Sequence, residues 1–425
     1  MRIAADLQEQ ARNITPSMEW RNATVFFITW QLMFLAAPVI YVGVVQAALC
    51  DKLGASPTIA NLPASAWLLG YIAPFFLTYF IPLRLEASVV VWTNAVSAVS
   101  MALVCAALLL PVGNAIRIAF VVGQGLVYGI LGSLSGVYIF QCLGRGTTTE
   151  GRAKTLKWTY TAGPIIAVIA SVGAQYVLNR GISVLPYPYD FALLYSIGVP
   201  CLAGVAFVSR RYELPPAEEP EQQPFIPYIA ESLRKYLRLR YLVLLWLGYF
   251  CWFLTLNAMS NFSLFTKVAI GRDPKELSGV IQALRFGFKA MAGFGLGAIA
   301  LRWGERAPII ATVILFMISI VWAWTMPGYL YLVCFGFMGA AELGAAYFIN
   351  YTLAVSPPAD GARNLSLLQL AIPVSSISPV LHGSVTESWG FRASFALGLV
   401  TTLFALAAVI RLPSRLMPLS INQRK

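Results

Sequence analysis

Charge is scarce in this sequence. Of its 425 residues only 11% are Asp, Glu, Lys or Arg, against roughly 25% in a soluble domain. So little charge excludes an ordinary water-facing surface over most of the chain. Histidine occurs once, at His382. One imidazole can build neither a histidine metal cluster nor a Ser-His-Asp triad, which removes most membrane acyltransferase and hydrolase chemistry. The expected place of His382 is the outer end of an apolar run, in a surface or capping role. The six cysteines, Cys50, Cys105, Cys142, Cys201, Cys251 and Cys334, show no CxxC or metal-like spacing. They read as small buried hydrophobes. No phosphate-binding loop is present, so a nucleotide-driven pump is excluded. No large soluble signalling domain is seen either. The first twenty residues are polar and mixed in charge, so the first apolar run is expected to be a retained helix and not a cleaved leader. No enzyme activity, cofactor or metal follows from this inventory.

What is present is hydrocarbon. Hydrophobic residues make up 58% of the chain, and the mean hydropathy is +0.72. A helix crosses the bilayer core with about 20 mostly apolar residues. Twelve runs qualify, over roughly 22–48, 58–81, 87–110, 115–142, 156–178, 190–209, 241–267, 276–300, 307–325, 328–354, 365–384 and 391–411. Turn-forming residues separate them, as in Pro111-Val-Gly-Asn114 and Pro357-Pro-Ala-Asp-Gly361. The fold class is therefore all-α, with twelve transmembrane helices. The formal charge of +12 points to the lipid bilayer and not to nucleic acid, because the basic residues are scattered through short loops with no basic, aromatic-interleaved patch. With both termini on one side, 21 of the 30 Lys and Arg fall on that side and 7 on the other. Basic residues favour the cytoplasm, so both termini are expected there, in a membrane of the bacterial inner (plasma) type.

One loop is long. Residues 210–240 hold an acidic, Pro-rich stretch from Glu213 to Glu221, then a segment with Ile229, Leu233, Tyr236 and Leu237 on one helical face and Arg234, Lys235 and Arg238 elsewhere. That segment reads as an amphipathic helix on the cytoplasmic interface. The loop divides the chain into a six-helix bundle over 1–209, a linker over 210–240 and a second six-helix bundle over 241–425.

Two parallel six-helix halves suggest an internal repeat, and a short motif sharpens the suggestion. The segment Gly297-Ala-Ile-Ala-Leu-Arg302-Trp-Gly304-Glu-Arg306-Ala-Pro308 resembles the cytoplasmic signature of the major facilitator superfamily of secondary transporters. That signature has Gly, a few apolar residues, Asp-Arg, any residue, Gly and a basic pair. Gly297, Arg302, Gly304 and Arg306 match, whereas Leu301 stands in the acidic position. In the first half only Arg84 of Tyr79-Phe-Ile-Pro-Leu-Arg84-Leu-Glu86 matches, so the other residues of the family's motif are missing at that end. The resemblance implies two bundles around a central cavity, lined by the first and fourth helices of each half with help from the second and fifth. It also implies alternating access by rocking of the halves, with the matched residues as a conformational motif.

The functional information lies in ionisable residues inside spans. A charge at the bilayer centre costs about 2.5–3.5 kcal/mol or more, so such residues usually face a wet cavity. Arg285 and Lys289 stand i, i+4 in the eighth run, on one helical face and roughly 12–20 Å below its start. Glu342, halfway along the tenth run, is the carboxylate expected deep inside a span. It is either a structural partner for these cations or a proton-coupling residue. One carboxylate for two cations leaves net positive charge for an anionic guest. A shift of about 218 residues superposes Arg84 on Arg302 and sets Trp67 opposite Arg285, Tyr71 opposite Lys289 and Gln124 opposite Glu342. An aromatic wall would then face a cationic one. Tyr128, Asn257 and Asn261 join Arg285, Lys289, Trp67, Tyr71 and Gln124 as candidate substrate contacts. Gln31, Tyr41, Tyr347 and Asn350 are further polar positions on lining helices, with helix packing as their alternative role.

The leading expectation is a proton-coupled secondary active transporter of a small organic anion, with that substrate, protons and lipid as its partners. The alternatives are a carrier for a neutral or amphipathic solute (sugar, nucleoside, drug) in which the three charges form a structural network, and a non-transporting membrane receptor or assembly factor.

Overall fold

The structure is a computed structural model that describes residues 14–40, 44–55, 57–60, 62–178, 187–216, 224–256, 259–271 and 277–413. Among these residues there are helices and no strand. Each of the twelve expected runs holds helix among its described residues, and several of them hold it in pieces. The first is α1 (Pro16–Leu35), α2 (Ala37–Ile40) and α3 (Val44–Lys52), and the second is α4 (Pro57–Ala60), α5 (Leu62–Gly70) and α6 (Ala73–Leu77). The next four are continuous: α7 (Glu86–Leu109), α8 (Asn114–Gly146), α9 (Thr149–Leu178) and α10 (Tyr189–Ser209). The linker forms α11 (Phe225–Arg238). The seventh to ninth runs are α12 (Arg240–Leu256) with α13 (Met259–Ile270), then α14 (Ser278–Trp303) and α15 (Arg306–Thr325). The tenth is α16 (Val333–Ala341) with α17 (Gly344–Val355), and the rest is α18 (Gly361–Gln369), α19 (Ala371–Ser375) and α20 (Ser378–Ile410).

Most of the breaks have a local cause. Pro38, Pro74, Pro373 and Pro379 sit at the first positions of the pieces they open. Proline has no N–H to give the preceding turn, so the chain restarts there. Gly390 adopts φ 80°, ψ 174° inside α20, and only glycine holds that conformation without strain. It separates the expected eleventh and twelfth runs. Counted strictly, nine helical runs among the described residues are long and apolar enough to cross a membrane, and ten if α11 and α12, bent by 90°, are taken together.

The described residues pack into two units. One comprises Pro16–Gly146 and Ile166–Glu219, the other Met1–Thr15, Thr147–Ile165 and Pro220–Lys425. In the first unit α7 lies between α8 and α10, and α1 packs on α10. Gly198 marks the close approach: a Cβ there would fall 2.3 Å from Met101 Sδ and 2.8 Å from Val39. The second unit is built around aromatic rings, with Trp252 against Phe316, Phe348 and Tyr249 at centroid distances of 5.5, 6.2 and 5.9 Å. His382 lies in this core, donating or accepting at 2.8 Å with Ser394. The surface role expected for it is therefore corrected. Hydropathy gives a residue's depth along a span but not the direction of its side chain.

A buried polar network closes one end of the first unit. Arg145 Nη1 donates to Glu86 Oε2 at 2.6 Å, and Gln141 donates to Glu86 Oε1 at 3.3 Å. The same guanidinium reaches the carbonyls of Leu83 (3.2 Å) and Pro215 (2.6 Å). Next to it, Asn22 donates to the carbonyls of Gly146 and Glu213 and accepts from the Glu213 N–H. Arg21 donates to the Arg211 carbonyl and pairs with Glu213. The start of the linker is thus tied to the ends of α1 and α8. Glu86 and Arg145 are almost fully buried, and a buried charge left without its partner destabilises by about 3–5 kcal/mol. Arg145→Met is expected to lower the thermal unfolding temperature in detergent strongly, and the Glu86→Gln/Arg145→Met double variant to recover most of the loss. Equal melting of the single and double variants would show that the pair is not coupled.

Candidate functional site

The three intramembrane charges of the second unit meet. Arg285 and Lys289 project from α14, one turn apart. Glu342 stands in the two-residue break between α16 and α17. The backbone remains helical there, but the turn tightens: Leu343 N–H reaches the Ala340 carbonyl and Ala346 N–H the Leu343 carbonyl, both three residues back. Arg285 Nε donates to Glu342 Oε1 at 2.7 Å, and Lys289 Nζ donates to Glu342 Oε2. Each carboxylate oxygen therefore holds one cation. The side chains of Arg285, Lys289 and Glu342 are 29%, 11% and 9% exposed. Lys289 also lies over the Phe286 ring at 5.2 Å. Formally the triad carries one net positive charge, and the accessible part of it is the guanidinium.

Two glycines make the meeting possible. A Cβ on Gly339 would lie 2.1 Å from the carbonyl oxygen of Arg285, and one on Gly336 would lie 2.8 Å from the Phe288 ring. Helices α14 and α16 thus touch backbone to backbone at the level of Arg285. Glu342 follows Gly339 by three residues, on the same side of its helix, which brings its carboxylate within reach of both cations.

The first unit repeats this device without the charges. A Cβ on Gly129 would lie 2.5 Å from the Trp67 carbonyl, one on Gly125 2.6 Å from the Pro63 carbonyl, and one on Gly70 2.3 Å from Gly129. Helices α5 and α8 therefore bring Trp67, Tyr71, Gln124 and Tyr128 onto one pair of packed helices. Trp67 and Tyr71 form an edge-to-face pair at 5.0 Å. Gln124 is buried, and neither atom of its amide has a hydrogen-bond partner. Matching the Gly129–Trp67 contact to the Gly339–Arg285 contact sets Glu342 opposite Gly132. The pairing of Glu342 with Gln124 by a single shift is thereby corrected: the second and fourth helices of each half need different offsets.

The motif residues have separate local tasks. Gly297 admits α9, since a Cβ there would lie 2.2 Å from Lys157 Cβ, and Lys157 Nζ sits over the Phe294 ring at 3.8 Å. Gly304 ends α14 at φ 81°, with its N–H on the Ala300 carbonyl. Arg306 Nη1 donates to the carbonyls of Leu412 (2.5 Å) and Ile410 (3.2 Å) and so caps α20. Arg302 is exposed and lies over Trp303 at 5.0 Å.

Asn257 and Tyr41 lie outside the described residues, as does the side chain of Asn261. Beyond Glu342 on α17, the Tyr347 hydroxyl and Asn350 Oδ1 are buried with no hydrogen-bond partner, like Trp252 Nε1 and Gln369 Oε1 in the same unit. An unmet buried polar group costs about 1–3 kcal/mol. From the sequence Trp252 reads as part of an aromatic belt, but it is fully buried.

Two outcomes follow. Gly339→Ala must push α14 and α16 apart, at an overpacking cost of about 1–3 kcal/mol. It should lower thermal stability measurably, whereas Gly295→Ala, with open space at its Cβ position, should not. Glu342→Gln leaves two cations one turn apart with no counter-charge and should destabilise more than Lys289→Met, which keeps the Arg285–Glu342 pair. The reverse order in a melting experiment would remove the bridge from the account.

No family model matches the sequence, and no curated protein resembles it significantly in sequence. Among solved structures the chain is similar to a major facilitator superfamily transporter, FucP, with a TM-score of 0.77 and 13% identity over 92% of this chain and 99% of that one. It is also similar to the human organic anion transporter MFSD10, with a TM-score of 0.69 and 14% identity over 93% and 100% of the two chains. For the proton:xylose symporter XylE the TM-score is 0.64 and the identity 12%, over 93% and 96%. This all-α integral membrane protein therefore has the fold of the major facilitator superfamily.

Proposed function

We propose that the protein is a secondary active transporter that carries a small organic anion by alternating access, coupled to protons, in a bacterial-type inner membrane with both termini cytoplasmic. The observation that carries this reading is the sharing of Glu342 by Arg285 and Lys289, which leaves one cation uncompensated inside a span. Hydrocarbon does not tolerate that charge cheaply, so it supports a guest of opposite sign. A carboxylate or phosphate suits the partly accessible guanidinium, which can grip two oxygens at once.

The same geometry supplies a route to coupling. An anion that takes Arg285 away from Glu342 leaves that carboxylate with one cation fewer. A proton on Glu342 restores the balance of charge, so anion and proton favour each other's binding, and the linkage is reciprocal. Glu342 thereby becomes the proton-coupling residue, and Arg285 and Lys289 the anion contacts. Trp67, Tyr71, Gln124 and Tyr128 are further proposed substrate contacts, within the first unit.

A second reading rests on the completeness of the bridge. Both cations are engaged by one carboxylate, as in a structural ion-pair network, and two of the similar structures are described as sugar:proton symporters. The solute would then be neutral. Proteoliposomes loaded against a panel of organic acids, sugar phosphates and sugars separate the two. Under the first reading an inward proton gradient drives uptake of an acid, and Arg285→Ala or Lys289→Ala lowers it by at least about tenfold, as expected for losing a buried charge contact. Glu342→Gln should keep anion exchange but lose its response to the pH gradient. Undiminished acid uptake by the Arg285→Ala/Lys289→Ala double variant would sink the anion assignment. Sugar uptake surviving neutralisation of all three residues would establish the second reading.

A further inference from the structure

Helix α11 turns one side into the protein and leaves an apolar stripe uncovered. Ser232 and Tyr236 are buried, where α11 packs on α12 and α18. Ile226, Leu233 and Leu237, spaced by seven and four residues, line the uncovered stripe and are 77%, 44% and 58% exposed. The face expected to hold Ile229, Leu233, Tyr236 and Leu237 together is thus split, with Tyr236 turned into the protein. Arg234 and Arg238 flank the exposed stripe and are themselves exposed, while Lys235 is occupied by Glu231 at 2.7 Å.

The axis of α11 completes the picture. It turns by 90° from α12 at Leu239, whose backbone is extended and whose N–H bonds the Tyr236 carbonyl. Helix α12 is the apolar member of the pair, and a helix at right angles to a spanning helix lies along the membrane surface. In that attitude Ile226, Leu233 and Leu237 meet the boundary between headgroups and acyl chains, and the two guanidinium groups beside them meet phosphate.

We propose that this face of α11 docks on an anionic phospholipid leaflet, with the three aliphatic side chains inserted and Arg234 and Arg238 on lipid headgroups. A wholly apolar stripe would suit a second copy of the chain or another protein equally well. The paired arginines at its edge favour an anionic surface, where each basic residue contributes roughly a fivefold gain in binding. Because α11 joins α12 through a single extended residue, lipid that fixes α11 also fixes the entry of α12.

Hydrogen exchange on the full chain in nanodiscs tests this directly. Amides of residues 225–238 are expected to exchange roughly tenfold or more slowly in discs containing phosphatidylglycerol than in discs of phosphatidylcholine alone. High salt should erase the difference, and so should Arg234→Gln/Arg238→Gln. Leu233→Asn/Leu237→Asn should lose the protection too, because it removes the inserted stripe. All four positions are exposed, and unchanged exchange in α14 and α15 verifies that the variants remain folded. Equal exchange in both lipids, or protection that survives either double variant, overturns the proposal. Protection that rises with protein concentration in phosphatidylcholine would assign the face to a second copy and overturn it equally.

Discussion

The cost of charge in hydrocarbon is the constraint around which the second unit is arranged. Arg285 and Lys289 could not sit one turn apart in a span without a counter-charge, and Glu342 is that counter-charge. Its position depends on Gly339, which has no side chain to hold α16 away from α14, and on the tightened turn that follows. The chain of dependence runs from one missing methyl group to a helix contact, from the contact to an ion bridge, and from the bridge to the state of a site. Each link is local, so a change far from the bridge matters only if it moves α14 against α16.

The first unit uses the same glycine contact for a different end. Gly125 and Gly129 press α8 onto the backbone of α5, but the side chains gathered there are an indole, a phenol and an unpartnered amide. Its charges lie elsewhere, in the Glu86–Arg145 pair that also holds Pro215 of the linker. The two units thus share a way of packing and differ in where each tolerates buried charge. One holds the Arg285–Glu342–Lys289 bridge within a span, the other the Glu86–Arg145 pair at the end of its helices beside the connecting loop. The second motif, at Gly297 to Arg306, shows how much of a signature survives without its acid: Gly304 ends a helix, Arg306 caps another, and Arg302 rests on a neighbouring ring.

Much of this was legible in the sequence, for a physical reason. Runs of about 20 apolar residues have few uses outside a bilayer, so the helices could be placed from composition, and charges within them were too costly to be incidental. Arg285, Lys289 and Glu342 were found that way. What stayed hidden were features set by direction and not by depth. Glu86 and Arg145 lie at helix ends, where a charge is ordinary, and only the packing of α7 on α8 makes them partners. His382 and Trp252 sit in apolar runs whose inward faces cannot be told from their outward ones. The offset between halves failed at Glu342 because one arginine fixes the register of one helix and says nothing about the loops before the next but one.

The two oxygens of Glu342 hold different cations, and both oxygens turn on a single terminal bond. Rotation of that bond cannot release Arg285 while keeping Lys289 as it was. The bridge is one carboxylate with two handles, and letting go of one changes the balance of charge felt at the other.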